Sequence, residues 1–348
     1  MKTITAYAFL SLLLCCASAA HALTFDFADV GNAGNVGKVV APSLILGDVA
    51  YNYRISKTEV TNAQYTEFLN AVDPTGANSL DLYDLNQAGN FGGIENTGTT
   101  DGARYVTQAG REQNPVAHIS WYDAVRFINW LHNGQGSGDT ETGAYSLLGG
   151  TATPSNGTSV TRNFDATFWL PSENEWFKAA YHNASAGTAA SYFTYATGSS
   201  AEPVSDHPDD NPAAVNYNNN DNLANGFNDG YAVSGSTTFP SSTNPFTDVG
   251  AYTEAVSPYG TFDQSGNVWE WNESIVDVSF RGLRGGSWAH NANGLSSRSF
   301  GSPLVNTEVI GFRVATIAIP EPSTLLLMSL VSVAQLRTVR RRNSQLAN

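Results

Sequence analysis

The chain has 348 residues, of which 31 are acidic and 17 basic, so its formal net charge is −14. A charge this negative repels phosphate backbones and excludes nucleic acid as an expected partner. Hydrophobic residues make up 41% of the sequence, enough for a buried core, whereas charged residues make up only 14%. This composition is typical of a loop-rich exported domain rather than a cytosolic helical enzyme.

The first 22 residues have the pattern of a secretory signal peptide. Lys2 supplies a positive start, residues 6–20 form an apolar run, and Ala20-His21-Ala22 is a small-x-small cleavage site. A buried first helix is the alternative, but these three features together indicate export. We therefore predict a mature N-terminus at Leu23.

Both cysteines, Cys15 and Cys16, lie inside the predicted signal peptide. The mature chain is therefore expected to form no disulfide and to offer no thiolate to a metal or a substrate. An exported domain of this kind depends on its core for stability, and bound metal ions can add to it.

The predicted elements begin with two strands and a helix. Residues 23–27 and 51–55 alternate apolar and polar side chains, as half-buried strands do. Thr61 is a suitable helix N-cap, Asp73-Pro74 ends the helix, and apolar residues recur between them at helical spacing: Tyr65, Phe68, Leu69 and Val72.

Two more helices are predicted further along the chain. Ser120 caps the second, whose apolar face carries Trp121, Val125, Ile128 and Leu131. A short strand at Phe168-Trp169-Leu170 precedes the third helix, which Ser172 and Glu175 open as a capping box. Residues 191–247 are rich in Asn, Asp, Gly and Ser, and we predict an ordered loop because they also contain several aromatic residues: Tyr217, Phe227, Tyr231 and Phe239.

Residues 319–348 form a second processing signal. Pro320-Glu321-Pro322 precedes an uncharged stretch at residues 323–336, which is shorter than the roughly 20 residues of a full membrane span. A basic cluster follows, and the positive-inside rule places it in the cytoplasm: Arg337, Arg340, Arg341 and Arg342. Loss of both ends leaves 12 basic and 30 acidic residues, a net charge of −18.

This order of features resembles the PEP-CTERM sorting tail of Gram-negative bacteria. The resemblance implies a transient inner-membrane anchor, cleavage by an exosortase, and delivery to the cell surface or the extracellular matrix. A simple C-terminal anchor is the alternative interpretation.

Several short segments, in this order, resemble the formylglycine-generating-enzyme (sulfatase-modifying-factor) family. They are Ile55-Ser56-Lys57-Thr58-Glu59-Val60-Thr61-Asn62, Asn114-Pro115-Val116, Ser120-Trp121-Tyr122-Asp123-Ala124, Leu170-Pro171-Ser172-Glu173-Asn174-Glu175-Trp176, Gly266-Asn267-Val268-Trp269-Glu270-Trp271, Arg284-Gly285-Gly286-Ser287-Trp288 and Gly311-Phe312-Arg313-Val314.

The resemblance is strongest over residues 51–315 and implies one domain at residues 23–318. The expected fold is α+β, of the variant C-type-lectin-like (sulfatase-modifying-factor) type. It has little regular secondary structure, with two to three short helices and small antiparallel sheets. We expect the domain to be a monomer.

The resemblance also implies two calcium sites. The first would use a side-chain oxygen, two carbonyls and a carboxylate, from Ser265, Gly266, Val268 and Glu270, with Asp263 close by. The second would use Asn216, Tyr217, Asp229 and Tyr231. Calcium prefers six to eight hard oxygen ligands of this kind. The alternative is that both segments are only polar turns.

The catalytic part of the family pattern is missing. Family oxidases hold copper with two cysteines between the Gly-Gly-Ser and Gly-Phe-Arg segments, and here residues 288–310 contain none. Soft copper(I) sites need thiolates, so no copper is expected. Related iron enzymes use a histidine triad, and the mature histidines lack that spacing, so no iron is expected: His118, His132, His182, His207 and His290.

Three functions remain open. The first is a non-catalytic, calcium-stabilised surface module that binds an extracellular protein or polysaccharide, and we favour it. The second is an enzyme of the formylglycine-generating type that oxidises a substrate cysteine without the usual cysteine pair. The third is other chemistry in the same cleft. A polar cleft with convergent acids would favour the third, and an aromatic one the first.

Overall fold

The computed structural model describes residues 23–318 except residues 210, 224 and 240. The predicted signal peptide and sorting tail lie outside the described residues. Among the described residues, none of the helices has the length and apolar character needed to cross a membrane.

Regular structure is sparse along the described chain. Its α-helices are α1 (Asn62–Val72), α2 (Trp121–His132), α3 (Glu173–Tyr181) and α4 (Ala292–Ser296). Short 3₁₀ turns lie at Leu85–Ala88, Gly157–Ser159 and Ala184–Ala186. The strands are β1 (Phe27–Val30), β2 (Lys38–Ala41), β3 (Leu44–Leu46), β4 (Tyr53–Ser56), β5 (Ile94–Asn96), β6 (Tyr105–Thr107), β7 (Phe168–Trp169), β8 (Val204–Ser205), β9 (Ala214–Val215), β10 (Asn218–Asn220), β11 (Asp229–Tyr231), β12 (Trp269–Asp277), β13 (Phe280–Arg284), β14 (Ser299–Gly301), β15 (Ile310–Phe312) and β16 (Ala315–Ile317).

Two four-stranded sheets organise the described residues. The first has the order β1-β4-β16-β7 and is antiparallel throughout. The second has the order β14-β13-β12-β15, and its β12–β15 pair is parallel, with Glu270 opposite Gly311. The remaining strands form two-stranded pairs, of which β8–β9 is parallel and the others are antiparallel. The expected small antiparallel sheets are present, with two parallel pairs that the sequence does not predict.

The three predicted helices are confirmed together with their caps. Thr61, Ser120 and Ser172 each accept a hydrogen bond from the backbone N–H three residues later, and the residue there bonds back to the cap. Such capping boxes satisfy backbone donors that have no partner inside the helix. Helix α4 is an addition that the sequence does not predict, since its five residues carry no helical apolar pattern.

The first strand begins later than the alternation of residues 23–27 predicts. Strand β1 starts at Phe27 and pairs with β4, so that Phe27 lies opposite Ser56 and Val30 opposite Tyr53. The preceding residues contact other elements instead. Leu23 exchanges backbone hydrogen bonds with the side chain of Gln135, and Phe25 packs edge-on against Phe127.

Aromatic side chains fill the core between the first sheet and helices α1 and α2. The fully buried ring of Phe127 lies 5.3 Å from both Phe68 and Phe312 and stacks on Tyr65 at 5.9 Å, measured between ring centroids. Rings in such offset and edge-to-face contacts contribute both buried area and specific geometry. A domain with few strands and helices therefore rests on large side chains for much of its stability.

Replacing Phe127 tests how much this aromatic core contributes to the free energy of unfolding. We expect Phe127→Ala to lower the free energy of unfolding by about 3–5 kcal/mol, because it opens a cavity among surrounding rings. Urea denaturation measures the change. Phe164→Ala is the matched control, since Phe164 is fully exposed, and it should change stability by less than about 0.5 kcal/mol. Equal effects of the two substitutions would contradict this description of the core.

Candidate metal-binding site

The loop at residues 263–270 is curled by three residues in the left-handed backbone region. Asp263 and Asn267 have φ angles of 60° and 59°, and Gly266 has a φ of 109°. A side chain at Gly266 would place its Cβ 2.3 Å from the backbone oxygen of Asn216, so only glycine fits there. The same Asn216 oxygen accepts a hydrogen bond from the N–H of Asn267. The loop therefore packs directly against residue 216.

Glu270 lies at the end of this loop and forms a buried ion pair with Arg313. The guanidinium donates to both carboxylate oxygens, at 2.5 and 2.6 Å, and the indole N–H of Trp176 donates at 2.7 Å. Both charged side chains are fully buried. Burial of an ion pair is costly unless such additional hydrogen bonds satisfy it. Burial alone lowers the pKa of Arg313, but the charge and hydrogen bonds of Glu270 outweigh this effect and raise the pKa overall, so the guanidinium stays charged.

Arg313 also binds backbone oxygens from two other segments. Its guanidinium donates to the carbonyls of Ser56, the last residue of β4, and of Lys57, which follows it. It also donates to the carbonyl of Phe262. Arg313 lies between β15 of the second sheet and β16 of the first. This single side chain therefore connects the two four-stranded sheets and the 263–270 loop.

Two further acids are buried beside this ion pair. Glu59 is 1% exposed and Asp263 is 7% exposed. Neither carboxylate oxygen of Glu59 receives a hydrogen bond from another described residue. Burial, followed by the charge of Asp263, raises the pKa of Glu59 well above its usual range, and burial raises the pKa of Asp263 to about 6. Desolvation disfavours charged carboxylates in this way.

The charge balance of this cluster fits a bound cation. Glu59, Asp263 and Glu270 place three acids around one arginine, so the ionised cluster carries two negative charges in excess. No group of three or more His, Cys, Asp or Glu side chains in the described part of the chain is arranged to hold a metal ion by itself. A calcium ion here would therefore depend on neutral oxygens as well, as calcium sites commonly do.

The structure gives the predicted ligands of the first site different surroundings. The hydroxyl of Ser265 accepts a hydrogen bond from the N–H of Ala196 at 3.0 Å, and Glu270 is engaged by Arg313. Gly266 and Val268 lie in the buried curl between them. Asp263 and Glu59 are the acids without an arginine partner of their own, and the sequence indicated Asp263 only as a neighbour. Glu59 was not predicted, because it lies about 200 residues earlier in the chain.

The four predicted ligands of the second site lie in and beside the β10–β11 hairpin. In the β10–β11 hairpin, Asp229 lies opposite Asn220 and Tyr231 opposite Asn218. The carbonyl of Tyr217 accepts hydrogen bonds from Ser205 and Ala232. The second calcium site at these residues stays a prediction.

Residues 288–310, where the resemblance places the family's catalytic cysteines, contain a histidine and a short helix instead. The hydroxyl of Ser287 lies 2.7 Å from Nδ1 of His290, and the indole N–H of Trp269 points at the same ring at 3.2 Å. Helix α4 follows and buries Leu295 completely. The described histidines do not converge, since their ring nitrogens contact separate groups: Asn306 for His118, Thr167 for His132, Tyr259 for His182 and Asp209 for His207.

The fold and these motifs define an α+β domain of the C-type-lectin-like type, and comparison with known proteins identifies its family. Residues 48–318 match the FGE-sulfatase family, described as the sulfatase-modifying factor enzyme 1-like domain. This match spans most of the chain, so the chain belongs to that family. The predicted family and fold class are confirmed.

Solved structures resemble the described fold. The crystal structure of CarF has a TM-score of 0.52 and 21% sequence identity, and the alignment covers 85% of this chain and 100% of CarF. Treponema denticola variable protein 1 has a TM-score of 0.49 and 19% identity, covering 84% and 95% of the two chains. PvdO from Pseudomonas aeruginosa has a TM-score of 0.41 and 15% identity, covering 85% and 93%. No curated protein sequence matches at a significant level.

Removing the charge of Glu270 tests the central ion pair. We expect Glu270→Gln to lower the free energy of unfolding by about 3–5 kcal/mol, because the buried Arg313 would lose the carboxylate that accepts two of its hydrogen bonds. Denaturation at one fixed calcium concentration measures the effect. Asp101→Asn is the control, since it removes the charge from the exposed pair with Arg104 and should cost less than about 1 kcal/mol. A Glu270→Gln protein as stable as this control would show that the ion pair is dispensable.

Proposed function

We propose that this protein is an exported, non-catalytic member of the FGE-sulfatase family that binds an extracellular protein or polysaccharide. The observation that carries the proposal is the side-chain content of residues 288–310 and of their neighbours. That interval contains no cysteine, and the side chains around its start are aromatic. A surface of this composition can bind a ligand but offers no thiolate to activate oxygen.

The aromatic residues beside this interval centre on Trp288, which is itself only 7% exposed. Its ring stacks on Phe91 with a centroid distance of 5.7 Å and also contacts Phe239 at 5.0 Å and Tyr231 at 5.9 Å. The indole N–H of Trp288 has no hydrogen-bond partner among the described residues. Its neighbours Phe91, Tyr231 and Phe239 are only partly buried, and aromatic side chains that reach the surface are common at binding sites. This arrangement supports binding rather than acid–base chemistry.

Catalysis by other groups in the same cleft is the alternative function. The observation in its favour is the 2.7 Å contact between the Ser287 hydroxyl and His290, since a serine next to an imidazole can act as a nucleophile. Against it, Ser287 is completely buried. The imidazole nitrogen opposite the serine faces Trp269 rather than a carboxylate. The usual third group that orients the base is therefore missing from this arrangement.

Calcium is the cation that we propose for the acidic cluster at Arg313. Asp263 and Glu59 would supply its charge, and Ser265, Gly266 and Val268 would supply neutral oxygens, with Glu270 as a further neighbour. The ion would offset the negative charges in excess and so stabilise the loop at residues 263–270. Its role here is structural, and the proposal includes no copper or iron.

Export and surface delivery complete the proposed role. The sequence of the first 22 residues supports secretion, and the Pro320-Glu321-Pro322 tail supports processing by an exosortase at the inner membrane. A disulfide-free domain of strong negative charge is soluble in the extracellular space. These features support a place on the cell surface or in the surrounding matrix.

An activity assay tests the non-catalytic proposal. A sulfatase-type cysteine peptide incubated with the purified domain, oxygen and copper should yield no formylglycine above the protein-free control, because no cysteine is present at residues 288–310. Aldehyde-specific labelling followed by mass spectrometry measures the product. A cysteine-containing member of the family serves as the positive control. Enzyme-dependent aldehyde would overturn the proposal.

Calcium removal tests the metal proposal. We expect chelation to lower the melting temperature by roughly a few degrees, and added calcium to restore it, since a ligand about 100-fold above its Kd stabilises the native state by about 2.7 kcal/mol. Glu59→Gln should remove most of this difference. Glu254→Gln is the matched control, because Glu254 is exposed and lies outside the cluster. Identical melting of the unmodified protein in chelator and in calcium would contradict the proposal.

A further inference from the structure

A pocket away from the Trp288 cluster has a different chemistry. It has a volume of about 440 Å³ and lies between the β2–β3 hairpin, helix α3 and the segment that follows α4. This volume is within the usual range of small-molecule pockets. No part of the proposed calcium cluster lines it.

The lining of this pocket is basic in an otherwise acidic domain. Lys38, Arg284 and Arg298 line it, and no acidic residue does. These are three of only 12 basic residues in the mature chain, which carries 30 acids. Such a concentration of positive charge creates a local field opposite to that of the whole domain.

Glu173 beneath the lining compensates for only part of this charge. Its carboxylate accepts hydrogen bonds from Arg284 at 2.6 Å and from Arg298 at 2.8 Å. One carboxylate thus neutralises one of two guanidiniums. Lys38 makes no ion pair within the described residues. The lining and Glu173 together therefore carry two positive charges in excess.

Glu173 also fixes the directions of the two arginines. Arg284 is held further by the carbonyl of Ser297, and its guanidinium lies 5.3 Å from the ring centre of Phe177. Its side chain is 3% exposed, whereas that of Arg298 is 31% exposed. Arg284 is thus a fixed wall of the pocket, and Arg298 is the guanidinium that a ligand can reach.

The remaining walls are apolar and partly aromatic. Phe177 and Tyr181 form a buried floor, Phe193 is half-buried beside them, and Val40 and Leu44 approach from the hairpin. Aromatic faces and aliphatic groups suit a ring with C–H surfaces, and guanidinium groups suit a carboxylate or sulfate. The two features together match a sugar ring that carries an oxyanion.

We propose that this pocket binds an acidic sugar residue of a polysaccharide, with the carboxylate or sulfate held by Arg298 and Lys38. The inference rests on the proposed binding function and names its ligand class. A uronic acid and a sulfated sugar share the required chemistry. The aromatic floor contacts the sugar ring and the basic lining selects charged over neutral saccharides.

Binding of defined trisaccharides to the purified domain tests this inference. The probes are a galacturonic acid trisaccharide, its neutral methyl ester and a sulfated galactose trisaccharide, measured by isothermal titration calorimetry. We expect binding of at least one charged probe and about tenfold weaker binding of the methyl ester, because the charge-assisted hydrogen bonds are lost. Binding of the uronic acid alone or of the sulfated sugar alone identifies the natural source of the oxyanion.

Two substitutions in the pocket test its location. Arg298→Gln and Lys38→Gln should each weaken binding of the charged probe about tenfold. Arg104→Gln is the matched control, because its side chain is 29% exposed and also pairs with an acid, but far from the pocket. The melting temperature of each variant confirms that it is folded, and Lys38→Gln leaves the Glu173 network intact.

The failure of this inference can be separated from that of the proposed function. Absence of binding by every charged probe, equal binding of the methyl ester, or equal loss in Arg104→Gln and Arg298→Gln would overturn the acidic-sugar pocket. The formylglycine assay is independent of these measurements, since the pocket contains neither Ser287 nor His290. Enzyme turnover with intact sugar binding would overturn the non-catalytic proposal alone.

Discussion

The buried ion pair between Arg313 and Glu270 is the interaction on which the rest of the domain depends. Glu270 belongs to the second sheet. Arg313, which follows the last strand of that sheet, donates to the carbonyls of Ser56 and Lys57 at the end of β4 in the first sheet. Only Arg313 and Val314 separate β15 of the second sheet from β16 of the first, so Arg313 lies at the junction where the relative position of the two sheets must be fixed. A charge pair that also binds three segments supplies that constraint, because leaving either partner unpaired is strongly unfavourable.

The same constraint explains why the neighbouring acids form a distinct chemical site. Asp263 and Glu59 are buried next to a pair that is already neutral, so their charge has no counter-ion among the described side chains. A divalent cation or bound protons must offset it. The basic pocket at Arg284 and Arg298 shows the opposite imbalance, around Glu173. The domain thus keeps surplus negative and surplus positive charge in two separate places.

Local patterns in the sequence predicted local structure well. Thr61, Ser120 and Ser172 were identifiable as helix caps because capping depends on residues within one turn. The ordered motifs also predicted the family and the fold class. Contacts between distant residues were not predictable in this way. Glu59 reaches Asp263 only after folding, and the register that places Asp229 opposite Asn220 could not be read from the sequence. Residues 23–27 likewise favour tertiary contacts over an early strand.

The most direct test of this account is a metal analysis of the purified mature domain after gel filtration in metal-free buffer. Inductively coupled plasma mass spectrometry measures calcium, copper and iron in the same sample. The charge balance around Arg313 predicts about one calcium ion per chain, as a site of hard oxygen ligands requires, with neither copper nor iron. A folded domain that retains no calcium, or that contains stoichiometric copper or iron, would contradict the account.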